Sequence, residues 1–184
     1  MFLTLDETRK LLETAKLPRD VALLWCLAYG LRIAEATALE IGDVAAPNGD
    51  GMGALMVRGK GNKARTLPIC SDAFSAISSY ISDRVNEPVF LVLNGSRPMT
   101  RRGIQDRFMN LAARAGIPPE KRFPHCMRHG FATRMLFDTK TIGGIYMVGK
   151  LLGHSRVAVT EMYLHCSQKQ LVQAMLADAL GAGV

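Results

Sequence analysis

The chain has 184 residues, of which 48% are hydrophobic, and a formal net charge of +7. That length and apolar content suit one domain with its own core, while the lack of any run of about 18 apolar residues argues against a membrane-spanning helix. Met1-Phe2-Leu3-Thr4 lacks the charged-then-apolar layout of an export signal, so a cytoplasmic protein with no membrane partner is expected.

Cys26, Cys70, Cys126 and Cys166 are scattered with no C-x-x-C pair, the pattern of free thiols. The charge is uneven. Residues 1–50 hold five basic and eight acidic side chains, which leaves +10 for the remainder. A basic face attracts polyanions, nucleic acid first among them. A solvated basic surface kept for solubility explains the charge equally well.

In chain order, Thr4 and Glu7 form a capping-box pair. The apolar residues Leu5, Leu11, Leu12 and Ala15 continue it as a helix that ends before Pro18. A second helix is expected from about Arg19 to Tyr29, stopped by Gly30, and a third, short one over Leu31 to Leu39. Arg32 then lies at a helix-to-helix corner, beside backbone N–H groups that suit an anion.

From Ile41 to Ile69 turn residues flank two short β-favouring runs, Ala54 to Arg58 and Ala64 to Ile69. These predict a small antiparallel sheet with Gly59-Lys60-Gly61-Asn62-Lys63 at the hairpin tip. Ser71 is expected to cap a helix reaching about Val85, and Pro88 to Leu93 reads as a short extended piece before the Asn94-Gly95 turn. Thr100 starts a basic amphipathic helix ending at Gly116, and another helix follows from about His125 to Phe137. Shorter helices are expected around Ile145 to Leu152, Ala158 to His165 and Gln168 to Leu180. The class is α+β, mainly α-helical with a small antiparallel β-sheet, in a single domain spanning residues 1–184 with no repeat or linker.

Chemistry concentrates at element boundaries. His125 and Arg128 are three apart on one helix face, so both can reach one bound group. Arg32 lies at a corner, Lys60 at a hairpin tip, and His154 follows Gly153, with Tyr163 nine residues further on. Each residue also has a plain structural reading. Arg32 could simply pair with Glu35, Lys60 and Lys63 could be polar tip residues, His154 could start a helix, and Tyr163 could be a half-buried aromatic. His125 and His129, four apart, have a metal-ligand spacing, with Cys126, His154, His165 and Cys166 elsewhere. No C-x-x-C or H-E-x-x-H accompanies them.

Four stretches together resemble the catalytic domain of the tyrosine recombinases, the phage-integrase family. They are Tyr29-Gly30-Leu31-Arg32-Ile33-Ala34-Glu35, Gly59-Lys60-Gly61-Asn62-Lys63-Ala64-Arg65, His125-Cys126-Met127-Arg128-His129-Gly130-Phe131-Ala132-Thr133, and Leu151-Leu152-Gly153-His154 with Tyr163. The resemblance covers nearly the whole chain in the family's order and implies a DNA breaking-rejoining fold. It makes Tyr163 the nucleophile on a DNA phosphodiester, Arg32 and Arg128 the clamp on its non-bridging oxygens, His125 and His154 hydrogen-bonding and proton-transfer groups, and Lys60 the acid for the departing 5′-oxygen. The covalent 3′-phosphotyrosine would keep the bond energy for rejoining. No cofactor is expected, and no G-x-x-x-x-G-K-[ST] is present.

Double-stranded DNA is the implied partner, with self-association on DNA during synapsis and association with the nucleoid when bound. For Arg58, Lys63, Arg65, Arg101, Arg102 and Arg107, phosphate contact stands beside the solvated-face reading. Two other activities fit the same residues: a type IB topoisomerase-like relaxation of DNA, and DNA binding without cutting. Met127 stands where the family often has leucine, a conservative change in volume. The catalytic domain so implied begins almost at Met1, so the N-terminal core-binding domain of full-length relatives is expected to be absent and DNA affinity weaker than that of a two-domain clamp.

Overall fold

Thr4 opens the first helix, α1 (Leu5–Thr14), with the reciprocal cap expected of it. Glu7 N–H donates to Thr4 Oγ1 at 3.2 Å and Thr4 N–H to Glu7 Oε2 at 2.8 Å. The coordinates are a computed structural model that describes residues 1–47, 51–59, 64–85, 87–95, 97–139 and 149. The expected helices at 145–152, 158–165 and 168–180, the hairpin tip from Lys60 to Lys63, and Cys166 lie outside the described residues.

The second helix, α2 (Pro18–Ala28), starts one residue earlier than expected because proline suits the first helical position, where its missing N–H costs nothing. Its residues Ala22, Leu23, Leu24, Cys26 and Leu27 are all buried. A helix apolar on every side belongs inside a domain, and α2 is packed against α1, α3 (Ile33–Thr37), α4 (Ser71–Ile81) and α6 (Pro124–Thr139). At its end Gly30, with φ of +80°, closes a Schellman turn. Gly30 N–H donates to the Leu27 carbonyl and Leu31 N–H to the Cys26 carbonyl. That turn releases the chain into α3, which covers only the middle of the expected Leu31 to Leu39.

A 3-10 turn (Ile41–Asp43) leads to the sheet, whose order is β1-β2-β3, antiparallel throughout. Strands β2 (Gly53–Arg58) and β3 (Ala64–Ile69) pair from Gly53 with Ile69 to Arg58 with Ala64, close to the two runs read from sequence. The two-residue β1 (Val44–Ala45), paired with Leu55 and Ala54, was not expected; two residues carry no periodicity.

Helix α4 departs from expectation at both ends. Cys70, not Ser71, is its N-cap, and the helix stops at Ile81 rather than near Val85 because Ser82 takes φ of +52°. Beyond it Arg84 gathers the chain, donating to the carbonyls of Val89 at 3.0 Å and Pro88 at 3.3 Å while its guanidinium lies 4.8 Å above the Tyr80 ring. Thr100 caps α5 (Arg101–Arg114) by accepting from Gly103 N–H at 3.0 Å.

One approach fixes α6 against the N-terminal segment. Leu3 N–H donates to the Cys126 carbonyl at 3.0 Å, and a Cβ on Gly130 would stand 2.3 Å from the Leu3 carbonyl oxygen. Only glycine fits there. Cys26, Cys70 and Cys126 are buried free thiols, and burial pushes Cys26 up to about 12. No described helix is long and apolar enough to cross a membrane.

Candidate functional site: an arginine cluster around Glu35

The Schellman turn at Gly30 places Arg32 at the N-cap of α3 and leaves the Gly30 carbonyl facing α6, where it accepts a hydrogen bond from Arg128 Nη1. Arg128 lies one turn after His125, on the face of α6 that meets α2. Thus the tail of α2 and the first turns of α6 bring together two arginines 96 positions apart in sequence.

Between them is Glu35, only 4% exposed. Its Oε1 accepts from Arg32 Nη1 at 2.8 Å and from Arg65 Nη1 at 3.0 Å. Its Oε2 accepts from the Arg32 backbone N–H at 2.8 Å and from Arg65 Nη2 at 2.9 Å, and lies 3.8 Å from Arg128 Nη1. Burial raises the carboxyl, but the hydrogen bonds from Arg65 and Arg32 outweigh it and hold Glu35 below its ordinary value of 4.5. Glu35 therefore stays ionised.

Three guanidiniums share that one carboxylate, a formal excess of two positive charges. Arg128 responds to its burial more than to this excess. Burial first, then the nearby Arg32 charge and, more weakly, Arg65 lower it to about 10, although Glu35 pulls it back up. Arg32 remains 34% exposed. A partly open pocket of fixed guanidinium forks with net positive charge suits a tetrahedral oxyanion, because planar donors match its oxygens and incoming negative charge relieves the repulsion. At this corner, where the sequence suggested backbone N–H groups suited to an anion, the N–H of Arg32 is taken by Glu35.

His125 is exposed in the first turn of α6, and His129 is exposed one turn on. Among the described residues no group of three or more His, Cys, Asp or Glu could hold a metal. Lys60, Lys63, His154 and Tyr163 lie outside the described residues.

The other basic candidates separate by what they touch. Arg58, at the end of β2, forks onto the buried Asp43 at 3.1 and 2.9 Å. Arg65 is only 12% exposed and turns inward to Glu35. Arg107 is bound to Asp20, a fully buried carboxylate in the first turn of α2, with Nε 3.0 Å from Oδ1 and a second bond from Nη2 to Oδ2. Arg19 donates to the same Asp20 at 3.1 Å. Arg102 makes a surface pair with Asp106 at 3.0 Å, and Arg101 is exposed.

Glu35 itself is the residue sequence reading undervalued, as a surface partner of Arg32. The signal was its position three residues after the N-cap, the same spacing that joins Thr4 to Glu7. Its burial and its bond to Arg65, 30 residues away, carry no sequence mark.

Comparison with known proteins covers most of the chain. The Phage integrase family model matches residues 1–170. The chain belongs to that family. Among curated phage-integrase relatives, it is 35% identical to tyrosine recombinase XerD of Staphylococcus haemolyticus over 93% of this chain and 60% of that protein. It is 34% identical to tyrosine recombinase XerC of Bradyrhizobium diazoefficiens over 88% of this chain and 50% of that protein. The chain thus spans about half to three-fifths of the length of these relatives. Among solved structures, XerA recombinase superposes with a TM-score of 0.71 at 29% identity, covering 94% of this chain and 63% of that one. The lambda integrase catalytic core, with a TM-score of 0.60 at 19% identity over 84% and 92% of the two chains, shows the fold alone.

Proposed function

We propose that this domain breaks and rejoins duplex DNA through Tyr163. The observation that carries the reading is the Arg32–Glu35–Arg128 arrangement, a partly open cationic cluster built by two of the four motif stretches. It is supported by relatives named tyrosine recombinases, and by structures of the same fold that hold DNA, such as XerH recombinase on its difH substrate and a lambda integrase tetramer on a Holliday junction. Arg32 and Arg128 hold the non-bridging oxygens of one phosphodiester and offset the charge that builds up as phosphorus becomes five-coordinate. The Tyr163 oxygen attacks phosphorus, the bond to the 5′-oxygen breaks, and Lys60 gives that oxygen its proton. His125 and His154 donate hydrogen bonds at the reacting phosphate and pass the phenol proton on. The product is a 3′-phosphotyrosine, and a 5′-hydroxyl from the same or another strand reverses the step. In this reading the protein works in the cytoplasm, on the nucleoid, and assembles with further copies on DNA when two sites are exchanged.

The test is covalent capture. Wild-type protein is incubated with a library of nicked duplexes of randomised core sequence, denatured, and examined for protein attached to a DNA 3′ end. An adduct with wild type and none with Tyr163→Phe is expected. An adduct that survives Tyr163→Phe removes Tyr163 from the mechanism, and binding with no adduct from any duplex reduces the domain to a DNA-binding module.

A further inference from the structure

Arg65 lies in β3 opposite Val57, in the stem of the hairpin whose tip carries Lys60, yet its guanidinium does not face outward. Both terminal nitrogens are committed to Glu35, at 3.0 and 2.9 Å. A carboxylate offers about four lone-pair sites. The two Arg65 bonds, with those from the Arg32 side chain and backbone, fill them. Arg128 Nη1, which donates to the Gly30 carbonyl, stays 3.8 Å from Oε2, outside hydrogen-bond range.

We propose that Arg65 is a positioning residue that holds Glu35 by both oxygens, so that this carboxylate steadies Arg32 without closing onto Arg128. The inference rests on the strand-cleavage reading above. Without Arg65, two acceptor sites on the buried carboxylate open while Arg32 keeps the other two, and the open sites draw in the nearest remaining cationic partner. That partner is Arg128. A guanidinium bound face to face by Glu35 is neutralised and no longer offers its fork to a phosphate. Glu35 then competes with the DNA for the same donor. The arrangement also ties strand β3 to the corner that carries Arg32, so one ion pair joins the sheet to α3.

The experiment compares wild type, Arg65→Ala, Arg65→Lys, Glu35→Gln and the double variant Arg65→Ala with Glu35→Gln. For each, single-turnover adduct formation on a nicked duplex captured as above, the Kd for that duplex, and a thermal melt are measured. Arg65→Ala is expected to slow the rate at saturating DNA by ~10- to 100-fold with Kd changed less than ~3-fold. Arg65→Lys, which keeps the charge but cannot span both carboxylate oxygens, slows it in the same way. In the Glu35→Gln background the loss on removing Arg65 shrinks to less than ~3-fold, since no charged competitor remains.

The proposal is overturned if Arg65→Ala keeps the saturated rate and instead weakens Kd and flattens its salt dependence, the behaviour of a phosphate contact. It is equally overturned if the rate loss is undiminished in the Glu35→Gln background. Should Arg65→Ala lose its cooperative melt, Arg65→Lys carries the comparison. Absence of any adduct from wild type sinks the strand-cleavage reading and this proposal with it, whereas a wild-type adduct with an unaffected Arg65→Ala rate sinks this proposal alone.

Discussion

Replacing Glu35 by glutamine tests whether one carboxylate holds the arginine cluster together. The amide keeps the shape and one acceptor oxygen, but its NH₂ faces guanidinium donors, and three positive charges lose their shared counter-charge. Removing one partner of a buried ion pair costs about 3 to 5 kcal/mol. The retained acceptor puts Glu35→Gln near the lower end, about 3 kcal/mol. For a domain of this size each kcal/mol moves Tm by roughly 2–4 °C, so a drop of about 6–12 °C is expected by differential scanning calorimetry at pH 7.

Two further readings of the same melts separate this cause from a packing defect. Sulfate should restore the variant more than the wild type at matched ionic strength, because it occupies the uncompensated cluster. An anion present at ~30 times its Kd returns about 2 kcal/mol. The second reading is pH. Glu35 sits below its ordinary 4.5 when folded, so its contribution is complete above that value and is lost as pH falls through the depressed one. The gap between wild type and variant should therefore hold near neutrality and close in acid. A variant melting within about 2 °C of wild type at pH 7, or a gap that sulfate and acid leave unchanged, would refute the electrostatic account.

Arg107→Ala strands the fully buried Asp20 carboxylate against Arg19 alone and should cost about 3 kcal/mol, whereas Arg102→Ala, from an exposed pair, should cost under about 0.5 kcal/mol; urea titrations of both variants check the contrast. Gly130→Ala forces a methyl group onto the Leu3 carbonyl oxygen and is expected to lower Tm by at least about 5 °C through displaced backbone. Tyr29→Phe removes the hydroxyl that accepts from Cys70 N–H at 2.9 Å, leaving a buried donor at the start of α4, and should cost about 1–3 kcal/mol in the same titrations.

Local chemistry was what the sequence disclosed. The Thr4–Glu7 box, the Gly30 stop, the β2–β3 runs and the Thr100 cap each depend on residues within one or two turns of one another, and each formed where expected. The departures have causes that residue type alone does not mark. Helix α4 stops at Ile81 because Ser82 takes φ of +52°, and β1 forms along the edge of β2.

The same divide runs through the basic residues. Spacing together with the family resemblance marks Arg32 and Arg128, since the glycine turn before one and the His-x-x-Arg step before the other are local. Spacing cannot distinguish Arg65, Arg107 and Arg102, because a guanidinium looks alike whether it serves a phosphate, a buried carboxylate or water. What separates them is the acid each one meets: Glu35 from across the sheet-to-helix junction, Asp20 from 87 residues away, Asp106 from one turn along the same helix. A positive charge count in this domain therefore overstates the surface available to a polyanion. Part of the basic excess is turned inward, where it balances Asp20, Asp43 and Glu35, and at Glu35 three guanidiniums face one carboxylate, so that the balance there is incomplete.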